Sequence, residues 1–100
     1  MGDRAVVTFK GSKAGVYLHW HGSKETVEAF LTETKAVMKG REGDVQYATA
    51  RFIAVCASHI SGNLSLGVGA LSELDCDNGN NGLYICSADD FTILERKYHA

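Results

Sequence analysis

Hydrophobic and polar positions divide the chain into short apolar runs and two longer periodic ones. Arg4 to Lys10 is rich in Val, Thr and Phe and reads as a strand. Gly11-Ser12-Lys13-Ala14-Gly15 is a turn, and Val16 to His21 is a second strand, so the first two elements make a hairpin with a long loop. Strand alternation puts Val16, Leu18 and Trp20 on one face and Tyr17, His19 and His21 on the other. The period then changes. Val27, Phe30, Leu31, Thr34, Val37 and Met38 recur at helical spacing, behind Ser23 as N-cap and ahead of Gly40 as the stop. Asp44 caps a second helix running to about Ile60, ended by Gly62-Asn63. Its apolar arc is wide, from Val45, Ala48, Phe52, Val55, Cys56 and His59 out to Ala50, Ile53, Ala54 and Ala57. That width predicts the more buried of the two helices.

Shorter elements follow. Leu64 to Val68 alternates as a strand, Gly69-Ala70 turns, and Leu71 to Leu74 makes a helical turn. Residues 75 to 82, Asp-Cys-Asp-Asn-Gly-Asn-Asn-Gly, form a polar loop. Leu83 to Ser87 and Phe91 to Arg96 are strands joined by Ala88-Asp89-Asp90. The expected fold is α+β: an antiparallel sheet of about five strands with two helices on one face, in the order ββααβββ.

Composition adds bounds. One hundred residues with 45% hydrophobic and 22% charged usage make a single domain, 1–100, with one core. The longest apolar run, Phe52 to Ala57, is far too short for a bilayer, and Met1-Gly2-Asp3-Arg4 opens no signal-peptide h-region. No membrane association and a cytoplasmic location are the expectation. Three cysteines, Cys56, Cys76 and Cys86, are an odd set without C-x-x-C, which suits a reducing compartment. A net charge of −2 gives no basic footprint for direct nucleic-acid binding. The distribution of charge matters more than its total. No Lys or Arg lies between Arg51 and Arg96, whereas Glu73, Asp75, Asp77, Asp89, Asp90 and Glu95 do. A solvated surface is the ordinary account of such a stretch; a surface that docks on a basic partner is the sharper one.

Candidate chemistry is sparse. His19 and His21 form H-x-H, which on a strand places both imidazoles on one face, roughly 7 Å apart along the chain. A metal would need a third ligand from Asp75, Asp77 or Cys76; two surface histidines beside a core tryptophan are the commoner arrangement. Tyr17, His19, Trp20, His21 and Tyr84 could alternatively line a ligand site by stacking. Asp75-x-Asp77 opens like an EF-hand loop, but Gly79, Asn80 and Cys86 stand where an oxygen ligand, the glycine and the glutamate belong. Cys56 and His59 are adjacent on a helix and read as core residues rather than as a nucleophile pair. No nucleophile elbow, zincin, P-loop or dinucleotide motif occurs, so neither a catalytic residue nor a cofactor is assigned.

The string Val16-Tyr17-Leu18-His19-Trp20-His21-Gly22, with Glu25-x-Val27-x-Ala29-Phe30-Leu31, resembles an uncharacterised family of small proteins of phages, prophages and mobile elements. Tyr47-Ala48-x-Ala50-Arg51-Phe52 and Leu64 to Val68 share in the resemblance. So does Leu74-Asp75-Cys76-Asp77-Asn78-Gly79-x-Asn81-Gly82-Leu83-Tyr84, and the likeness covers about residues 15 to 95. It implies an accessory protein that acts by binding, such as an inhibitor or adaptor of a host defence complex in the manner of an anti-CRISPR protein. On that expectation Asp75, Asp77, Asn78, Asn81, Asp89 and Asp90 contact a protein partner of the host bacterium. The oligomeric state, monomer or homodimer, stays open.

Overall fold

The computed structural model describes residues 3–60 and 65–97. The expected end of the second helix at Gly62-Asn63, and Leu64 at the head of the third strand, lie outside the described residues. Among the described residues are five strands and two helices: β1 (Ala5–Phe9), β2 (Ala14–Leu18), α1 (Lys24–Val37), α2 (Val45–His59), β3 (Leu66–Ala70), β4 (Leu83–Cys86) and β5 (Ile93–Lys97). A single 3-10 turn, Leu71–Glu73, stands between β3 and β4, so the chain order is ββααβηββ rather than the bare ββααβββ.

Both helices begin where their caps dictate. The Ser23 hydroxyl accepts the Thr26 amide, and an Asp44 carboxylate oxygen accepts the Tyr47 amide at 3.2 Å, each satisfying a donor that the first helical turn leaves open. Gly40 and Gly43, at φ +90° and +86°, make the left-handed turns that reverse the chain between the helices. α2 buries Ala48, Phe52, Val55 and Cys56, and α1 buries Val27, Phe30, Leu31 and Thr34. The outer part of the wide α2 arc, Ala50, Ala54 and Ala57, is exposed, so α2 is not the deeper helix. Alanine has too little apolar surface to force burial.

The sheet is mixed, which corrects the antiparallel expectation. Its order is β3-β2-β1-β4-β5, and β4 runs parallel to β1, with Val6 opposite Leu83 and Phe9 opposite Cys86. The other pairs are antiparallel. A hairpin between β3 and β4 would have kept the sheet antiparallel. Instead the chain leaves β3 at one edge, passes across the sheet, and enters on the far side of β1. Leu71 and Leu74 lie over Gly15 during this passage: a Cβ built on Gly15 would sit 2.7 Å from Leu74 Cδ1 and 3.1 Å from Leu71 Cδ1.

Helices cover one face of the sheet. Ala5, Val7, Phe9, Val16, Leu18, Tyr84 and Cys86 join the helical side chains in one core. Phe9 meets Phe52 and Phe91 edge-on, at centroid distances of 5.9 and 5.8 Å, and Phe30 meets Phe52 at 6.5 Å. Phe91 adopts φ +58°, an uncommon conformation for a bulky residue, and its buried ring holds it there; β5 therefore starts at Ile93, two residues later than the apolar run suggests. β2 is displaced in the opposite direction. It ends at Leu18, and the chain bends through His19 and Trp20.

That bend is fixed by a close approach. The Gly22 amide donates to the Asp3 carbonyl at 2.8 Å, and the Tyr84 hydroxyl donates to the Gly22 carbonyl at 2.8 Å. A Cβ on Gly22 would stand 2.5 Å from the Asp3 carbonyl oxygen and 2.9 Å from the Ala5 amide nitrogen, both backbone atoms that cannot swing away. Gly22→Ala is expected to lower the unfolding free energy by about 1–3 kcal/mol, as overpacking does. The midpoint of a urea titration measures it.

Candidate functional site

Residues 75 to 82 carry the longest polar segment, and the structure shows what most of it is for. Asn78 is buried. Its Nδ2 donates to the carbonyls of Asp75 and Gly82 at 3.1 and 3.2 Å, and its Oδ1 accepts the amides of Asn80 and Gly82 at 3.2 and 3.1 Å. One side chain thus closes the loop on itself. Asn81 ties the loop to the start of the chain: its Nδ2 donates to Asp3 Oδ1 at 2.6 Å and to the Arg4 carbonyl at 3.1 Å, while Arg96 donates to its Oδ1 at 2.9 Å. Asn80 Oδ1 accepts Arg4 Nε at 2.8 Å. Gly79 and Gly82 have φ of +76° and +73° and supply the tight turns. The carboxamides expected to meet a partner make internal bonds, and the Asp75 and Asp77 side chains are exposed on this hydrogen-bonded loop.

Asp89 and Asp90 sit at the other end of β4. The Ser87 hydroxyl accepts both of their amides, and Asp90 Oδ1 accepts the Thr92 hydroxyl at 2.8 Å. Hydrogen bonds from Thr92 and Ser87 hold the Asp90 carboxyl below the usual carboxylate range. Both side chains are exposed. Four strand residues at roughly 3.3 Å each separate this pair from the 75–82 loop, so the acidic stretch forms two clusters at opposite ends of one strand.

The aromatic and imidazole groups do not converge. The Tyr17 hydroxyl and His19 Nδ1 are 2.7 Å apart, and His19 packs edge-on against Trp20 at 4.6 Å. Trp20 is 50% exposed and not a core residue, because the strand ends before it. His21 turns to the helices, with its ring 6.4 Å from Phe30, and its Nδ1 is buried without a hydrogen-bond partner among the described residues. The two imidazoles of H-x-H therefore have separate surroundings. Among the described residues no group of three or more His, Cys, Asp and Glu is arranged to hold a metal ion. Tyr84 lies in the helix-side core beneath the Arg96 guanidinium, 4.9 Å from the ring centre, whereas Tyr17 belongs to the opposite face of the sheet. Tyr17, His19 and Trp20 stay together as a ledge at the end of β2; His21 and Tyr84 do not join it.

His59 also departs from expectation. It is half exposed, stacks on Phe30 at 5.4 Å, and places Nε2 2.6 Å from Glu33 Oε2. One grouping was not anticipated: Arg41 stacks on Tyr47 at 3.8 Å from the ring centre, with Arg51 on the same ring at 5.7 Å. The i, i+4 spacing of Tyr47 and Arg51 was the available signal. A surface cavity of about 460 Å³ opens beside the end of β3, lined by Ser12, Lys13, Ala70, Leu71 and Ser72, none of them a residue singled out by sequence.

Burial pushes the Cys56 and Cys86 thiols up to about 12. Cys76 is partly exposed, and burial and the neighbouring Asp75 raise it too. All three are free thiols.

Two outcomes are expected. In folded protein at about pH 8, Cys76 alone reacts with an aromatic disulfide reagent, and the buried pair reacts only after denaturation; colorimetric titration with and without guanidinium counts them. Asn78→Ala leaves the buried Gly82 amide unpartnered, the Gly82 carbonyl keeping the Val6 amide, and costs about 1–3 kcal/mol in thermal unfolding, with faster hydrogen exchange at Gly82.

No helix among the described residues is long and apolar enough to cross a membrane. No family model matches the chain, and no curated protein or solved structure shows a significant likeness to it.

Proposed function

We propose that this chain acts by binding, as a phage or mobile-element accessory protein that inhibits or adapts a host defence protein complex, with exposed carboxylates as its contact groups. The observation carrying this reading is the charge distribution. Six acidic residues and no Lys or Arg lie between Arg51 and Arg96, and Asp75, Asp77, Asp89 and Asp90 are all exposed. The loop and turn that bear them are braced by Asn78, Asn81 and Ser87, so little conformational entropy is lost when they dock. Carboxylates on a braced backbone suit bidentate contact with arginine. Each acidic cluster is small, so the pair at each end of β4 engages its own basic site on the partner. The bacterial cytoplasm is the compartment this reading requires.

A second reading draws on the Trp20 ledge. Half-exposed Trp20, with His19 and Tyr17 linked behind it, offers a stacking surface for a planar ligand such as a nucleotide base. Stabilisation against heat by a nucleotide, lost in Trp20→Ala, would favour this reading over the first.

The test of the first reading starts with a tagged copy recovered gently from a bacterial lysate and weighed by native mass spectrometry. A stoichiometric protein partner is expected. Its affinity should fall at least roughly tenfold between about 0.1 and 0.5 M salt, as screened ion pairs do. Asp75→Asn with Asp77→Asn, or Asp89→Asn with Asp90→Asn, should weaken it similarly while the unfolding transition stays in place. Binding indifferent to salt and to both double variants would refute the reading.

A further inference from the structure

The two edges of the sheet differ in kind. β5, at one edge, carries Glu95, Arg96 and Lys97, and charged side chains discourage pairing with another strand. β3, at the other, reads Leu-Gly-Val-Gly-Ala, with no charge and no proline. Among the described residues β3 pairs with β2 alone. The pairing phase is fixed at both ends of the strand: the His19 amide donates to the Ser65 carbonyl and the Leu71 amide to the Lys13 carbonyl. Antiparallel alternation then gives Gly67 and Gly69 to β2 as hydrogen-bonded residues. The amides and carbonyls of Leu66, Val68 and Ala70 point outward from the sheet.

We infer that this edge joins the same edge of a second copy, antiparallel and centred on Val68, so that two five-stranded sheets become one of ten strands. The second copy is the occupant that this strand fits. The outward-pointing residues are spaced evenly about Val68, so a two-fold axis there pairs Val68 with Val68 of the other copy and Leu66 with Ala70. Every outward donor thereby meets an outward acceptor. A strand with no charged side chain has nothing to select a charged partner, and nothing on it repels its own copy. Val68 is 55% exposed, one of the few large hydrophobic residues left in water, and it stands on the helix side of the sheet opposite Val16. Pairing brings the two Val68 side chains together as cross-strand neighbours. The charged β5 edge remains outermost on both copies, so the assembly closes at two chains and does not grow into a filament.

Sedimentation velocity of the full chain tests this inference. The wild-type protein is expected to populate a dimer as concentration rises. Val68→Lys, at an exposed position, should leave circular dichroism and the unfolding midpoint little changed while weakening dimerisation at least tenfold. Position and register are read by cross-linking. In a Cys76→Ser background, Val68→Cys should oxidise to a covalent dimer, because opposed hydrogen-bonded residues lie at a Cα separation of roughly 5.5 Å, within disulfide reach. Leu94→Cys, exposed on β5, should not. A monomer at all concentrations, assemblies larger than a dimer, or a dimer that tolerates Val68→Lys and fails to cross-link at Val68 would each overturn the inference.

Discussion

Everything in this fold follows from the burial of β1 on both faces. Val6 is as inaccessible as Val7, and Thr8 is buried between Val7 and Phe9. A strand in that position needs a neighbour on each side and a cover above and below. β2 and β4 supply the neighbours, and the two helices cover the face of Ala5, Val7 and Phe9. The opposite face, with Val6 and Gly15, is covered by the chain itself as it passes from β3 to β4 and lays Leu71 and Leu74 across the sheet. This passage puts β4 parallel to β1. A parallel pair needs a crossover, and here the crossover also serves as the second layer.

The 75–82 loop is the closure of that crossover. Once past Leu74 the chain must turn back into the sheet with its backbone groups satisfied, and Asn78 meets four of them with one carboxamide. Asn81 then fastens the turn to Asp3 and Arg4, immediately before β1. Asn and Gly are abundant in the segment because it is a compact clasp around buried backbone. The carboxylates are different. Asp75 and Asp77 lie on the outside of the clasp, and their exposure is set by residues that face inward.

Much of this was legible in the sequence. The caps Ser23 and Asp44, the stop at Gly40 and the five strands are local signals, and local signals survive in the structure. Helical register was also readable: Val27, Phe30, Leu31 and Thr34 are the buried face of α1. The mixed sheet was signalled but weakly. Ala5 to Phe9 is apolar at nearly every position and does not alternate, which is the mark of a strand buried on both faces rather than of one side of an exposed hairpin. The candidate ligand cluster failed for a different reason. Strand alternation was extended to His21, but Gly22 packs against the Asp3 and Ala5 backbone and bends the chain, so Trp20 turns outward and His21 turns to Phe30. Contacts between residues so far apart in sequence leave no local trace. The roles of Asn78 and Asn81 were illegible for the same reason, since a surface amide and a buried clasp have the same composition.

The same constraint leaves β3 as the exposed edge. The crossover lays Leu71 and Leu74 on the far face of β2 and Leu74 over Gly69 of β3, but among the described residues no strand pairs with the outer side of β3. A side chain at Gly69 would sit tightly against the crossover, 3.3 Å from Leu74 Cδ2, whereas at Gly67 the nearest atom, Tyr17 Cβ at 3.7 Å, is at ordinary contact distance. Gly69, over which the crossover sits close, is thus also a position of β3 that carries no charge. An edge built from small, uncharged side chains lacks the charge that usually deters pairing with another strand. On the inference drawn above, the strand that pairs with it is its own copy, reversed.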